Sequence, residues 1–272
     1  MEARLQRRVQ RYGWDKASAW YERYWRQQLQ PAQERLLALA QLRPGEHVID
    51  VACGTGLVTF DAAQAVGRTG RVVGTDLSQD MVDRAAEQAR ALELPYVEFQ
   101  RMDAEDLKVP SESFDAWLCG LGLMYVPDPA RAMAEAYRVV RSGGRASAAV
   151  WGMRPRCGWA EIFPIVDRRV TSEVCPMFFQ LGTGDTLQHV FEAAGFTEVH
   201  LERIESVLHY ESSEDACGAA FLGGPVALAY SRFDDHVRNE AQAEYLASIE
   251  RYRHGDTYDV PGEFVIVCGQ RP

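Results

Sequence analysis

Val48-Ile49-Asp50-Val51-Ala52-Cys53-Gly54-Thr55-Gly56 is the stretch whose reading decides the fold. A short apolar run of strand composition feeds a glycine-rich turn, and Leu57–Val66 continues as an apolar helix. Such a turn lets the backbone approach a nucleotide-type ligand at a helix start. Asp76 closes the next apolar run, 20 residues beyond Gly56. An acid placed there can accept hydrogen bonds from both hydroxyls of a ribose. A dinucleotide site wants a third glycine or alanine, so that helix and strand pack closely. Counted from Gly54 that place is Thr59, β-branched and hydroxylated, which disfavours a nicotinamide dinucleotide.

Outward from this turn, strands are expected at 47–52, 71–75, 96–101, 114–119 and 146–151. Helices fall between them: one capped by Ser78 that runs to about 92, and one opened by Pro129 that Ser142-Gly143-Gly144 stops. Upstream, Pro31 is expected to open a helix that Pro44-Gly45 ends. After Trp151 the rhythm changes to turns and aromatics (Gly158-Trp159, Phe163-Pro164, Pro176, Phe178-Phe179). A helix at 187–194 and strands at 197–209 and 264–269 resume the pattern. The alternation predicts an α/β fold: a Rossmann-like, seven-stranded, mostly parallel sheet with helices on both faces and a helical cap. The expected division is an N-terminal helical lid at 1–43 and a core at 44–151. A cap insertion at 152–182, core continuation at 183–211, helical cap insertion at 212–260 and final strand at 261–272 follow.

The 272 residues are 47% hydrophobic and 25% charged, ordinary for a soluble globular chain that needs no disulfides or structural metal. The net charge of −10 repels phosphate backbones and anionic headgroups, so neither nucleic acid nor a membrane is expected as partner. The longest nearly apolar run, 219–230, is too short to span a bilayer and contains Gly223-Gly224-Pro225. Residues 1–12 have no apolar signal core, and a cytoplasmic location is expected. Cys53, Cys119, Cys157, Cys175, Cys217 and Cys268 form no CxxC and have no histidine at zinc-ligand spacing. They read as free thiols, and no metal site is expected.

Several ordered motifs resemble the class I S-adenosylmethionine-dependent methyltransferases, in particular the subgroup similar to the ubiquinone/menaquinone-biosynthesis enzymes. The first motif is 48–56, with Ala52 where that family often has glycine. The others are Arg71-Val72-Val73-Gly74-Thr75-Asp76-Leu77-Ser78 with Met81, Met102-Asp103-Ala104-Glu105, and the loop Gly122-Leu123-Met124-Tyr125-Val126-Pro127-Asp128. Arg138-Val139-Val140-Arg141-Ser142-Gly143-Gly144 follows, with Ser142 in place of proline.

The resemblance implies S-adenosyl-L-methionine as cofactor. Gly54 and Gly56 then clear space for its methionyl part, and Asp50 receives its ammonium directly or through water. Asp76 takes the ribose hydroxyls, Leu77 and Met81 sandwich the adenine, and Asp103 and the Ala104 backbone read the adenine edge. Ala52 and Cys119 complete the cofactor set. Trp14-Asp15, Ser18 and Tyr21-Glu22 resemble a helix that closes over the cofactor, with Tyr21 covering it or touching the acceptor. Candidate bases are Tyr125, His189, His209, His236 and His254, none of which sequence alone singles out. The place of the (N/D/S)-P-P-(Y/F/W) motif of nucleobase amino-methyltransferases reads Cys119-Gly120-Leu121-Gly122. The aromatic insertions suit a small apolar or aromatic acceptor instead. Trp14, Tyr21, Tyr24 and Trp25, with Phe221, Tyr230 and Phe233, are expected to line its pocket. The rival expectation is a non-catalytic cofactor-binding or scaffold protein with the same fold. A homodimer stays open.

Overall fold

The computed structural model describes residues 3–170, 175 and 177–272; Pro176 lies outside them. Two helices, α1 (Ala3–Ala17) and α2 (Tyr21–Ala40), lead into β1 (His47–Val51), α3 (Leu57–Val66), β2 (Arg71–Asp76), α4 (Gln79–Ala91) and β3 (Val97–Arg101). β4 (Phe114–Gly120), α5 (Pro129–Val139) and β5 (Val140–Trp151) complete the parallel part. Then come α6 (Ile162–Asp167), α7 (Thr186–Ala193), β6 (Thr197–Tyr210), α8 (Ser213–Phe221), α9 (Ala227–Tyr230), α10 (Asp235–Ile249), β7 (Arg253–His254) and β8 (Thr257–Gln270).

Seven strands run in the order β3-β2-β1-β4-β5-β8-β6, and the two-residue β7 pairs with β8 off that path. β3 to β5 pair parallel; β8 is antiparallel to both β5 and β6. Val48, Ile49 and Val51 are fully buried because helices cover both faces of the sheet. The strand order reverses between β1 and β4, and ligands bind beyond the carboxyl ends of strands at such a switch point. Local caps agree with this layout. Ser78 Oγ accepts from Met81 N at 3.2 Å, and Asp128 Oδ1 accepts from Arg131 N at 3.0 Å with Pro129 in the first turn. No helix among the described residues is long and apolar enough to cross a membrane.

Three expectations need correction. Pro31 sits inside α2 and does not open it. The helix runs through because Tyr24, Trp25, Leu29, Ala32 and Leu36 bury one continuous face, which outweighs the single lost bond. β5 starts at Val140, so Ser142-Gly143-Gly144 lies within the strand. Gly143 N donates to Arg271 O and Arg271 N to Gly144 O, both at 2.8 Å, so the C-terminus supplies the partner the glycines lack elsewhere. β8 starts at Thr257, inside the expected insertion, because β6 offers it paired partners back to Tyr210↔Tyr258. The 152–182 segment is tied to the sheet by Glu263, only 6% exposed. Its Oε2 accepts from Met153 N at 3.2 Å and from Arg203 Nη1 at 3.1 Å, while Arg203 Nη1 also donates to Gly182 O at 3.0 Å.

Candidate functional site

Alternate residues of the turn after β1 are left-handed. Gly54 and Gly56 stand at φ +55° and +92°, and a Cβ on Gly56 would lie 2.7 Å from the Phe60 ring. Ala52 takes φ +56°, a conformation that costs an L-residue about 1–2 kcal/mol and accounts for the resembled family's glycine. Its methyl fits because the facing residue is Gly122, whose own Cβ would come within 2.3 Å of it.

Two carboxylates anchor this turn. Asp76 Oδ2 accepts from Gly54 N and Oδ1 from Ser78 N, each at 2.8 Å, which locks the turn to the start of α4. Each oxygen keeps a further lone pair. Burial raises the Asp76 carboxyl above its ordinary range, although the Ser78, Gly54 and Leu77 N–H groups pull the other way. Asp50 is wholly buried. Thr59 Oγ1 donates to its Oδ2 at 2.6 Å, and its Oδ1 has no partner among the described residues. Burial pushes this carboxyl up to about 7, with Asp76 adding to the rise and Thr59 opposing it. An orphaned buried carboxylate oxygen calls for a cation. Sequence reading saw Thr59 only as an obstacle to a dinucleotide; its hydroxyl is what orients Asp50.

Between these strand ends and α1 lies a cleft partly open to solvent. Tyr21, Ala52, Gly54, Asp76, Leu77, Met81, Asp103 and Ala104 come together on its wall. Asp50 and Gly56 do not line it; they support the turn from beneath and from the head of α3. Cys119 does not line it either, being 1% exposed with Sγ packed toward Gly122. Burial pushes that thiol up to about 12, and Gly120, Leu121 and Gly122 form the wall instead.

Residues 48–144 match the methyltransferase domain family. The core of this chain is a methyltransferase domain. The chain is 41% identical over 106 residues to the 2-phytyl-1,4-naphtoquinone methyltransferase of Synechococcus elongatus, a match covering 39% of this chain and 46% of that protein. Over 231 residues it is 42% identical to a 37.1 kDa protein of transposon TN4556 in Streptomyces fradiae, covering 80% of this chain and 64% of that one. The chain thus spans only about half to under two thirds of these relatives' lengths. Haemonchus contortus phosphoethanolamine N-methyltransferase 2, solved with phosphomonomethylethanolamine and S-adenosylhomocysteine, superposes with a TM-score of 0.63 at 15% identity. That likeness covers 95% of this chain and 57% of that one, and it shows a shared fold.

The methyltransferase domain is roofed by α1, which contributes Arg7, Gln10 and Trp14 to the cleft. Ser78 Oγ donates to Asp15 Oδ1 at 2.6 Å, and Arg84 Nε donates to Ser18 Oγ at 3.2 Å, fixing the helix over α4. At the turn after β3, Arg7 Nε lies 2.9 Å from Asp103 Oδ2, and Arg7 Nη2 donates to Glu105 Oε2. Asp103 Oδ1 accepts from Glu105 N at 3.0 Å, so this carboxylate is already engaged on both oxygens. Sequence reading missed Arg7, whose partners lie some hundred residues away.

Next to the cleft, and sharing Trp14, Tyr21, Leu121 and Tyr125 with it, is a smaller chamber. Trp25, Leu29, Trp151 and Trp159 close its far side. Trp14–Tyr125, Tyr125–Phe178 and Phe178–Trp159 meet edge-on at 5.1, 5.3 and 5.6 Å between ring centroids. Of the two insertions expected to form an aromatic cap, 152–182 contributes Trp159 to the chamber, backed by Phe178. Phe221, Tyr230 and Phe233 pack on one another away from the chamber, at 4.8 and 6.0 Å between ring centroids, and only Gly224-Pro225 of that insertion reaches it. Tyr24 and Trp25 are 8% and 7% exposed on the buried face of α2; Trp25 lines the chamber and Tyr24 does not. Among the candidate bases, only Tyr125 lines the cleft. Burial raises its phenol, and that of Tyr21, above the ordinary range, so both remain hydrogen-bond donors. His189 lies in α7, His236 in α10 and His254 in β7. His209 Nδ1 is 2.6 Å from Asp259 Oδ1, which raises its pKa, and it too stands off the cleft.

Proposed function

We propose that this protein binds S-adenosyl-L-methionine in the cleft and moves its methyl group to a small apolar or aromatic acceptor held in the adjoining chamber. The supporting observation is Asp50: a fully buried carboxylate with one orphaned oxygen, beneath a left-handed glycine turn and beside Asp76. Those residues fit the cofactor. Asp50, just behind the cleft wall, would receive its ammonium through water, and Asp76 its ribose hydroxyls; Leu77 and Met81 would flank its adenine. The bound sulfonium supplies a methyl already activated for in-line displacement. What remains for the chain is positioning and exclusion of water. Trp14, Tyr125, Trp159 and their neighbours present flat apolar faces, and the Tyr21 and Tyr125 hydroxyls can donate to an oxygen of the acceptor. A relative named for a naphthoquinone substrate agrees with a ring-shaped acceptor. Calorimetric titration with S-adenosylhomocysteine, then a panel of hydroxylated one- and two-ring aromatics with radiolabelled methyl donor, tests both halves. No binding overturns the first; binding without labelled product from any ring compound overturns the second.

Cofactor affinity should depend on pH through Asp50. Its folded-state value lies above the unfolded one, so the ligand-free protein keeps a proton there and loses stability as pH rises from about 4 through about 7. A bound ammonium needs the ionised form. S-adenosylhomocysteine affinity should therefore climb between about pH 6 and pH 8, flattening above that. In Asp50→Asn the affinity should be weak and the slope gone, while the ligand-free variant melts higher than wild type at pH 8. An unchanged pH profile in the variant removes Asp50 from the site.

Turnover is expected to survive EDTA. A sulfonium donor needs no Lewis acid, and the described residues assemble no group of three His, Cys, Asp or Glu side chains suited to a metal. Loss of activity in EDTA that magnesium or zinc restores would refute this.

A further inference from the structure

Glu105 stands where three parts of the site meet. It is a buried carboxylate, its side chain 2% exposed, in the turn that follows β3. Oε2 accepts from Arg7 Nη2 of α1, and Oε1 accepts from Asp128 N at 3.1 Å, at the end of the loop that carries Tyr125. Arg131 Nε donates to the Glu105 carbonyl at 2.9 Å and so holds the backbone, not the carboxylate. Arg7 is therefore the cation that faces this buried charge, and its Nε also reaches Asp103. On the far side of the cleft, Trp14 of the same helix meets Tyr125 of the same loop, edge-on at 5.1 Å.

We infer that the Arg7–Glu105 ion pair is a positioning element that sets α1 and the 121–128 loop together, so that the wall shared by cofactor cleft and acceptor chamber forms as one unit. The inference rests on the proposed cofactor site for its consequences, but the coupling itself is a property of the ligand-free chain. A buried charge left without its partner is costly, so α1 leaving its place unsettles Glu105, and Glu105 in turn holds the Asp128 N–H that anchors the loop. Asp103 gains the same dependence on the lid through Arg7 Nε, at the end of the cleft proposed for adenine.

The test is a double-mutant cycle on the full chain with Arg7→Ala, Glu105→Gln and the pair combined, plus Arg7→Lys. Hydrogen exchange is read without ligand, and S-adenosylhomocysteine affinity is read by calorimetry. Each single variant should speed exchange of α1 and of residues 121–128 together, and weaken binding about 5- to 100-fold, the usual span of a coupling between sites. The combined variant, which leaves no unpaired buried charge and so guards against misfolding, should be no worse than either single one. Arg7→Lys should recover part of both effects. Additive losses in the combined variant, or faster exchange in α1 with residues 121–128 unchanged, would overturn the coupling. If wild type binds no S-adenosylhomocysteine, the cofactor reading fails, and the exchange experiment still decides the ion pair.

Discussion

Replacing Asp76 by alanine should weaken S-adenosylhomocysteine binding by about 10- to 100-fold, because two charge-assisted hydrogen bonds, at roughly 1.5–3 kcal/mol each before water compensates, go with it. The lower end would hold if the loss were confined to ribose contacts. The upper end is expected here because Asp76 also receives Gly54 N and Ser78 N, so alanine frees both and lets the turn relax away from the ligand. The fold should tolerate the change. Burial already disfavours the Asp76 charge, and removing it relieves that cost while two backbone N–H groups lose their acceptor. Calorimetry on the variant, with circular dichroism and a thermal melt as controls, decides. Unchanged affinity in a folded variant removes Asp76 from the site.

Asp76 was legible in the sequence for the same reason that it matters. The strand, the glycine turn and the helix after it are local, so spacing along the chain translates directly into spacing in the fold. Ser78 as a cap was legible on the same grounds, whereas Ala52 stood out only through the family resemblance, and its left-handed φ came with the structure. What local pattern could not show is pairing over distance. Arg7 and Glu105 are 98 residues apart, and nothing in either segment signals the other. The aromatics of residues 14–25 misled for a different reason. Composition groups Trp14, Tyr21, Tyr24 and Trp25, but helix phase divides them. Positions 24, 25, 28, 29, 32, 33 and 36 make one buried stripe of α2, so Tyr24 packs in the core and Trp25 reaches only the far side of the chamber, while Trp14 and Tyr21 face the cleft. That stripe was available in the sequence, hidden by reading Pro31 as a helix start. The aromatics of 212–260 show the limit of composition from the other side: Phe221, Tyr230 and Phe233 satisfy one another, leaving 152–182 to wall the chamber.

Deleting residues 1–19 should leave the sheet folded yet cost about 100-fold or more in turnover, with a clear loss of cofactor affinity. The cut is placed before α2 because Tyr24, Trp25 and Leu29 hold that helix to β5 and to the 152–182 segment; a deletion reaching residue 28 would open the core. Removing α1 takes away Arg7, Gln10 and Trp14 from the cleft and the Asp15 contact to Ser78. It also leaves Glu105 without Arg7, the cation that faces its buried carboxylate, so residues 121–128 should exchange faster in the truncated protein. The stability loss should thus combine the uncovering of Pro225 and Leu228, which lie against Gly13, with the loss of that ion pair. With one wall gone, Tyr125 loses Trp14, the acceptor loses its alignment with the methyl, and water enters. Hydrogen exchange of the intact chain should show residues 3–17 and 222–226 becoming protected when S-adenosylhomocysteine is added. Equal exchange with and without ligand, together with a truncated protein that still methylates, would reduce α1 to packing and end its role as a lid.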